Sequence, residues 1–142
     1  MKDYVGKAKG NVLVIEDQQD WMRKLVQICE KAGYAARRAK NFDKAVSLLK
    51  GNEFDAVIAD FRLKDWESDN IEGLQALEAI PEGIRPAAVV VTAYPDADHV
   101  RMAFRDFKVI DVLFKSSFDA NVFGKKLAAA VRETRKRRDA RA

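Results

Sequence analysis

With one cysteine in 142 residues there is no partner for an internal disulfide, so Cys29 points to a reducing compartment, most simply the cytoplasm. With one histidine, His99, there is no cysteine–histidine spacing of the zinc kind. No apolar run exceeds five residues, as in AAVVV at 87–91, far too short to span a bilayer, and the opening MKDYVGKAKG has no apolar signal-peptide core. A glycine-rich phosphate loop of the Walker kind is also missing, which leaves nucleotide hydrolysis without support. No repeat, linker or low-complexity segment divides the chain, so residues 1–131 read as one domain.

Charge of one sign is scarce everywhere except at the end. The formal net charge is +4, and residues 132–142, RETRKRRDARA, carry all of it; the preceding residues balance acid against base. A run of this kind is expected to be a solvated basic tail or helix extension, and nucleic acid is not an expected partner.

What the sequence does hold is an alternation of short apolar runs and helical stripes. VLVI at 12–15, AVIA at 56–59, AAVVV at 87–91 and VIDVLF at 109–114 read as buried strands, with a weaker one at 35–39. Trp21, Leu25, Ile28, Cys29 and Ala32 mark one helical face, and Phe42, Ala45, Val46 and Leu49 another, with Asn41 as N-cap. A third helix is predicted over 71–80, closed by Pro81; a fourth begins near Asp96, and a fifth runs from about 119 into the basic stretch. Five strand-then-helix units imply an α/β fold, a parallel sheet with helices on both faces.

All carboxyl ends of such a sheet share one edge, where ligands bind. Glu16 and Asp17 follow the first strand, Asp60 the third, Thr92 the fourth and Lys115 the fifth. Three carboxylates in one pocket repel each other and stay ionised only beside a cation. Oxygen donors without histidine or cysteine favour Mg²⁺. A carboxylate beside Mg²⁺, with lysine and threonine nearby, is equipped to attack a phosphoryl group, and Asp60 is the candidate nucleophile.

VLVIED, FDAVIAD, VVVTAY and LFK, in that order, resemble the receiver domain of two-component response regulators, of the chemotaxis-regulator type, over roughly residues 10–131. The resemblance implies a flavodoxin-like (βα)5 fold, a five-stranded doubly wound sheet with strand order 2-1-3-4-5. It implies Mg²⁺ held by Glu16, Asp17, Asp60 and the backbone carbonyl of Arg62. Asp60 becomes the phosphoacceptor, Thr92 the hydroxyl that turns toward the phosphoryl group, and Lys115 its pairing cation. The side chains of Arg62 and Tyr94 occupy positions that tune phosphoryl lifetime.

The implied partners are a histidine kinase or phosphotransfer protein, plus an output protein or an effector domain in a longer chain. A homodimer through the face of helix four, strand five and helix five is a further implied association. No external substrate is implied, only self-phosphorylation and autodephosphorylation. Three features depart from the family pattern. Ser116 stands where a proline usually follows the lysine, Val112 where an aromatic switch residue is usual, and the loop after Asp60 reaches Gly73 late. A non-proline cis bond costs about 3 kcal/mol, so the loop after Lys115 is expected to be trans or rearranged. The long loop suggests a lid carrying Trp66 or a docking surface. A receiver-like interaction module that does not signal by phosphorylation is the alternative reading. His99, on the fourth helix, is expected at the surface.

Overall fold

The computed structural model describes residues 8–63, 71–94 and 96–140. The Trp66 lid lies outside these described residues. Five strands, β1 (Asn11–Ile15), β2 (Ala35–Ala39), β3 (Ala56–Ala59), β4 (Ala88–Thr92) and β5 (Asp111–Phe114), form one parallel sheet in the order β2-β1-β3-β4-β5. The expected flavodoxin-like topology is therefore the observed one.

The helices are α1 (Gln19–Lys31), α2 (Phe42–Gly51), α3 (Glu72–Gln75), α4 (Ala97–Asp106) and α5 (Ala120–Asp139). Side-chain oxygens start three of them. Asn41 accepts from the Lys44 N–H, Asp96 from the Asp98 and His99 N–H groups, and Asp119 from those of Asn121 and Val122. The expected ten-residue third helix is instead a four-residue α3 followed by a 3₁₀ stretch, Ala76–Ala79. Its apolar residues Leu74, Leu77 and Ile80 are spaced by three, the repeat of a 3₁₀ turn, so tightening the helix keeps them on the core side.

Alternation along the strands sends Leu13, Ile15, Val57, Ala59 and Val90 into a core with α2, α3 and α4. Val12, Val14, Ile58, Val89 and Val91 pack with α1 and α5 on the opposite face. β3 is buried along its whole length, whereas edge strand β2 exposes Arg37 and Arg38.

The basic stretch is the end of α5, fastened to the sheet edge remote from the strand carboxyl ends. The Ala87 N–H donates to the buried Thr134 Oγ1 at 2.8 Å, and Arg137 donates to the Arg85 carbonyl at 2.9 Å. Arg138 meets Asp55 Oδ1 at 2.8 Å and donates to the Phe54 carbonyl, while Asp55 Oδ2 accepts the Asn11 N–H. Arg135 donates to the Lys9 carbonyl. Several of the charges expected to be solvated are thus engaged by the body of the protein. Among the described residues, no helix is long and apolar enough to cross a membrane.

Candidate functional site

Sheet register decides which side chains meet. Ile15 is level with both Ala39 and Ala59, so Glu16 and Asp60 leave adjacent strands at the same height. Val90 is level with Ala59, so β4 carries on two residues further to Thr92, which pairs with Phe114. Lys115 therefore starts above the acids and its side chain reaches back to them.

The contact is close. Lys115 Nζ lies 2.8 Å from Glu16 Oε1 and 3.0 Å from Asp60 Oδ2, with side chains 6%, 1% and 2% exposed. It also donates to Gln18 Oε1 at 3.1 Å, and the Gln18 N–H donates to Glu16 Oε2 at 3.0 Å. Glu16, Asp17 and Asp60 each offer a carboxylate oxygen, all within 4.8 Å of one another. Burial, then the neighbouring Asp60 charge, raises the Glu16 carboxyl from 4.5 to about 7, with Lys115 pulling the other way. Burial works against the Lys115 ammonium too, but the Asp60 and Glu16 carboxylates outweigh it and its pKa is raised. Even with Lys115 in place the cluster is short of positive charge. An all-oxygen set of three acids, one of them inclined to hold its proton, fits a hard divalent cation.

The remaining predicted residues frame Asp60. Thr92 is fully buried and its Oγ1 accepts the Tyr94 N–H at 3.2 Å. The Arg62 N–H lies 3.4 Å from Asp60 Oδ1, and the Arg62 guanidinium lies 3.6 Å from the centre of the Tyr94 ring. Val112 belongs to the core, so no aromatic ring occupies its position.

Among the described residues no peptide bond is cis. Lys115–Ser117 form a 3₁₀ turn that delivers Phe118 against Trp21, ring centres 5.2 Å apart at 82°. The extra residue after Ser116 thus becomes packing on α1, and Lys115 keeps its place among the acids.

Four contributors escaped sequence reasoning. Gln18 had a faint signal, a polar residue in the loop after the acid pair. Trp21, expected in the core, also places its ring 5.2 Å from Lys115 Nζ. A Cβ on Gly73 would lie 1.7 Å from the Asp60 carbonyl oxygen, so only glycine lets α3 start against the Asp60 backbone. His99, expected at the surface, is half-buried with its ring 5.6 Å from that of Phe61, the residue after Asp60. The Phe61 ring explains the correction, since it covers one side of the His99 ring and takes it out of full exposure.

Residues 12–127 match the model of the response regulator receiver domain. The chain belongs to that family. This receiver is 28% identical over 90 residues to sporulation initiation phosphotransferase F of Bacillus subtilis (strain 168), a match covering 63% of the chain and 69% of that protein. Among solved structures, the receiver resembles the signal receiver domain of an HD domain-containing protein from Pseudomonas fluorescens Pf-5. That match has a TM-score of 0.75 and 19% identity, over 89% of this chain and 97% of that one. A response regulator receiver domain protein from Methanospirillum hungatei JF-1 matches with a TM-score of 0.74 and 19% identity, over 89% and 96% of the two chains. At such identities the structural likeness is one of fold.

Proposed function

We propose that this receiver accepts a phosphoryl group on Asp60 from the phosphohistidine of a histidine kinase or phosphotransfer protein, in the cytoplasm. The observation that carries the reading is Lys115 Nζ, buried and 3.0 Å from Asp60 at the carboxyl edge of the sheet. Glu16, Asp17, Asp60 and the Arg62 carbonyl would hold Mg²⁺, which supplies charge neutralisation on the transferring phosphoryl group. Asp60 attacks phosphorus with one carboxylate oxygen, and the bond to the donor nitrogen breaks as that nitrogen leaves. Lys115 then shares its ammonium with the new phosphoryl oxygens, and the Thr92 hydroxyl turns from the Tyr94 N–H toward them. The Arg62–Tyr94 stack screens the attacking water and so sets the lifetime of the acyl phosphate.

Phosphorylation adds charge and acceptor oxygens next to α4 and β5, biasing the α4–β5–α5 face between two packings. Phe104 on α4 and Val122 on α5, 44% and 42% exposed, are its apolar contacts for an output protein or a second copy.

The test is incubation with Mg²⁺ and acetyl phosphate or beryllofluoride, followed by intact mass measurement of wild type and Asp60→Ala. An Asp60-dependent adduct is expected; its absence with every donor would refute the reading. Val112 in the core favours the second reading, a receiver-like interaction module. In that case partner binding is the same with and without donor.

A further inference from the structure

A cavity of about 660 Å³ opens beside the acid pair, between the ends of β1 and β2 and the starts of α1 and α2. Glu16 and Asp17 line one side, and Arg38, Lys40 and Lys44 the other. Register explains the juxtaposition: Ile15 pairs with Ala39, so Lys40 leaves β2 at the height where Glu16 leaves β1. Glu16 nevertheless takes its cation from the far side, from Lys115. Arg38, Lys40 and Lys44 are exposed and have no ion-pair partner among the described residues. Three exposed cations without ion pairs thus line a cavity whose other wall is Glu16, paired with Lys115, and Asp17, acids that a divalent cation at the proposed metal site would neutralise. The volume falls within the range of about 300–1,000 Å³ typical of small-molecule sites.

We infer that this cavity holds the second anionic group of a small-molecule phosphoryl donor, an inference that rests on Asp60 being the acceptor. Forming an aspartyl phosphate requires a donor of similar transfer potential, and a small acyl phosphate has it. Its phosphoryl group lies at the acid end, while a carboxylate or second phosphate on the same molecule lies against Arg38, Lys40 and Lys44. In the transfer, an Asp60 oxygen forms the new bond to phosphorus. The bond from phosphorus to the donor's acyl oxygen breaks, its electron pair leaving with the donor as a carboxylate, so no co-reactant is needed.

Acetyl phosphate and succinyl phosphate test this directly, since they share the reacting group and differ in a second carboxylate. At sub-saturating donor, low salt and excess Mg²⁺, succinyl phosphate should phosphorylate wild type about tenfold faster, as expected for a few charge contacts near a protein surface. In the triple variant Arg38→Gln, Lys40→Gln, Lys44→Gln the two donors should react at equal rates, with the acetyl phosphate rate within about twofold of wild type. Calorimetric titration with Mg²⁺ and inorganic diphosphate should show binding to wild type that weakens about tenfold in the triple variant and is unchanged in Lys50→Gln.

Equal preference for succinyl phosphate in both proteins, or unchanged diphosphate binding, overturns the inference. If neither donor yields an adduct while diphosphate binding still depends on the three cations, the Asp60 reading fails and the anion site stands. If the variant loses transfer only from a phosphohistidine protein, with diphosphate binding intact, the wall is a protein docking face and the inference is wrong.

Discussion

Replacing Glu16 by glutamine should make the metal-free receiver more stable above neutral pH. Glu16 is 1% exposed and shares Lys115 with Asp60, and burial carries its carboxyl from 4.5 to about 7. Between those values the unfolded chain has released the proton and the folded one has kept it. The unfolded state therefore binds fewer protons, and stability falls as pH rises, by up to about 1.4 kcal/mol per pH unit. The loss is absent below 4.5, grows to about 3 kcal/mol, and is complete once the folded carboxyl has ionised above about pH 7. Lys115, whose folded pKa is raised, contributes stability that is lost only at more alkaline pH, outside this window.

Glutamine mimics the neutral carboxyl, so other titrating groups cancel in the comparison. Urea unfolding of wild type and Glu16→Gln from pH 4.5 to 8, in a chelator and followed by circular dichroism, should give curves that coincide at the acid end. At the alkaline end they should separate by about 3 kcal/mol in favour of the variant. Saturating Mg²⁺ should close the gap, because a cation bound to the folded wild type at about 100 times its Kd adds about 2.7 kcal/mol. Parallel stability profiles across the whole range would refute the reasoning, since they would mean that Glu16 ionises in the folded protein as it does in the unfolded chain.

Gly73→Ala should lower stability by about 3 kcal/mol and slow Asp60 phosphorylation, read by thermal melting and by adduct formation, because the new Cβ displaces the Asp60 backbone. Thr134→Val should cost about 1–3 kcal/mol by leaving the buried Ala87 N–H without an acceptor, while Thr134→Ser keeps the bond; neither should alter the rate of adduct formation. Cys29 is buried and its thiol is pushed up to about 12 by burial and by Glu30. A thiol reagent at pH 8 should therefore leave the native protein unmodified and titrate one thiol in denaturant; rapid native labelling would contradict that burial.

Strand ends were legible because an apolar run fixes where a buried strand must stop. VLVI and AVIA end at the residues before Glu16 and Asp60 in the structure as in the sequence. Helix starts were legible wherever one side chain does the capping, as at Asn41. Features that depend on residues far apart in the chain were not. The arginines of α5 look like a solvated run until Asp55, Phe54, Arg85 and Lys9 come up to meet them. Gly73 looks like a loop glycine until the Asp60 carbonyl lies against it. His99 looks like a surface residue until Phe61 covers one side. Within the site, the identities of the acids and the lysine were readable, while the bracing by Gln18 and Trp21 needed the loop after Lys115 to be built.

The fastening of α5 has a mechanical corollary. The helix spans about 30 Å at 1.5 Å per residue, and Thr134, Arg135, Arg137 and Arg138 grip the sheet near one end, while the other begins at Asp119, beside the Lys115–Phe118 turn. The polar ties are thus gathered at the carboxyl end, while between them and Asp119 the helix is held by the apolar packing of Phe123, Leu127, Ala130 and Val131 on the sheet. If phosphorylation moves Lys115 as proposed, the turn around the exposed Val122 is where a binding protein on α5 would register it, and the turn around Lys136 is where it would not.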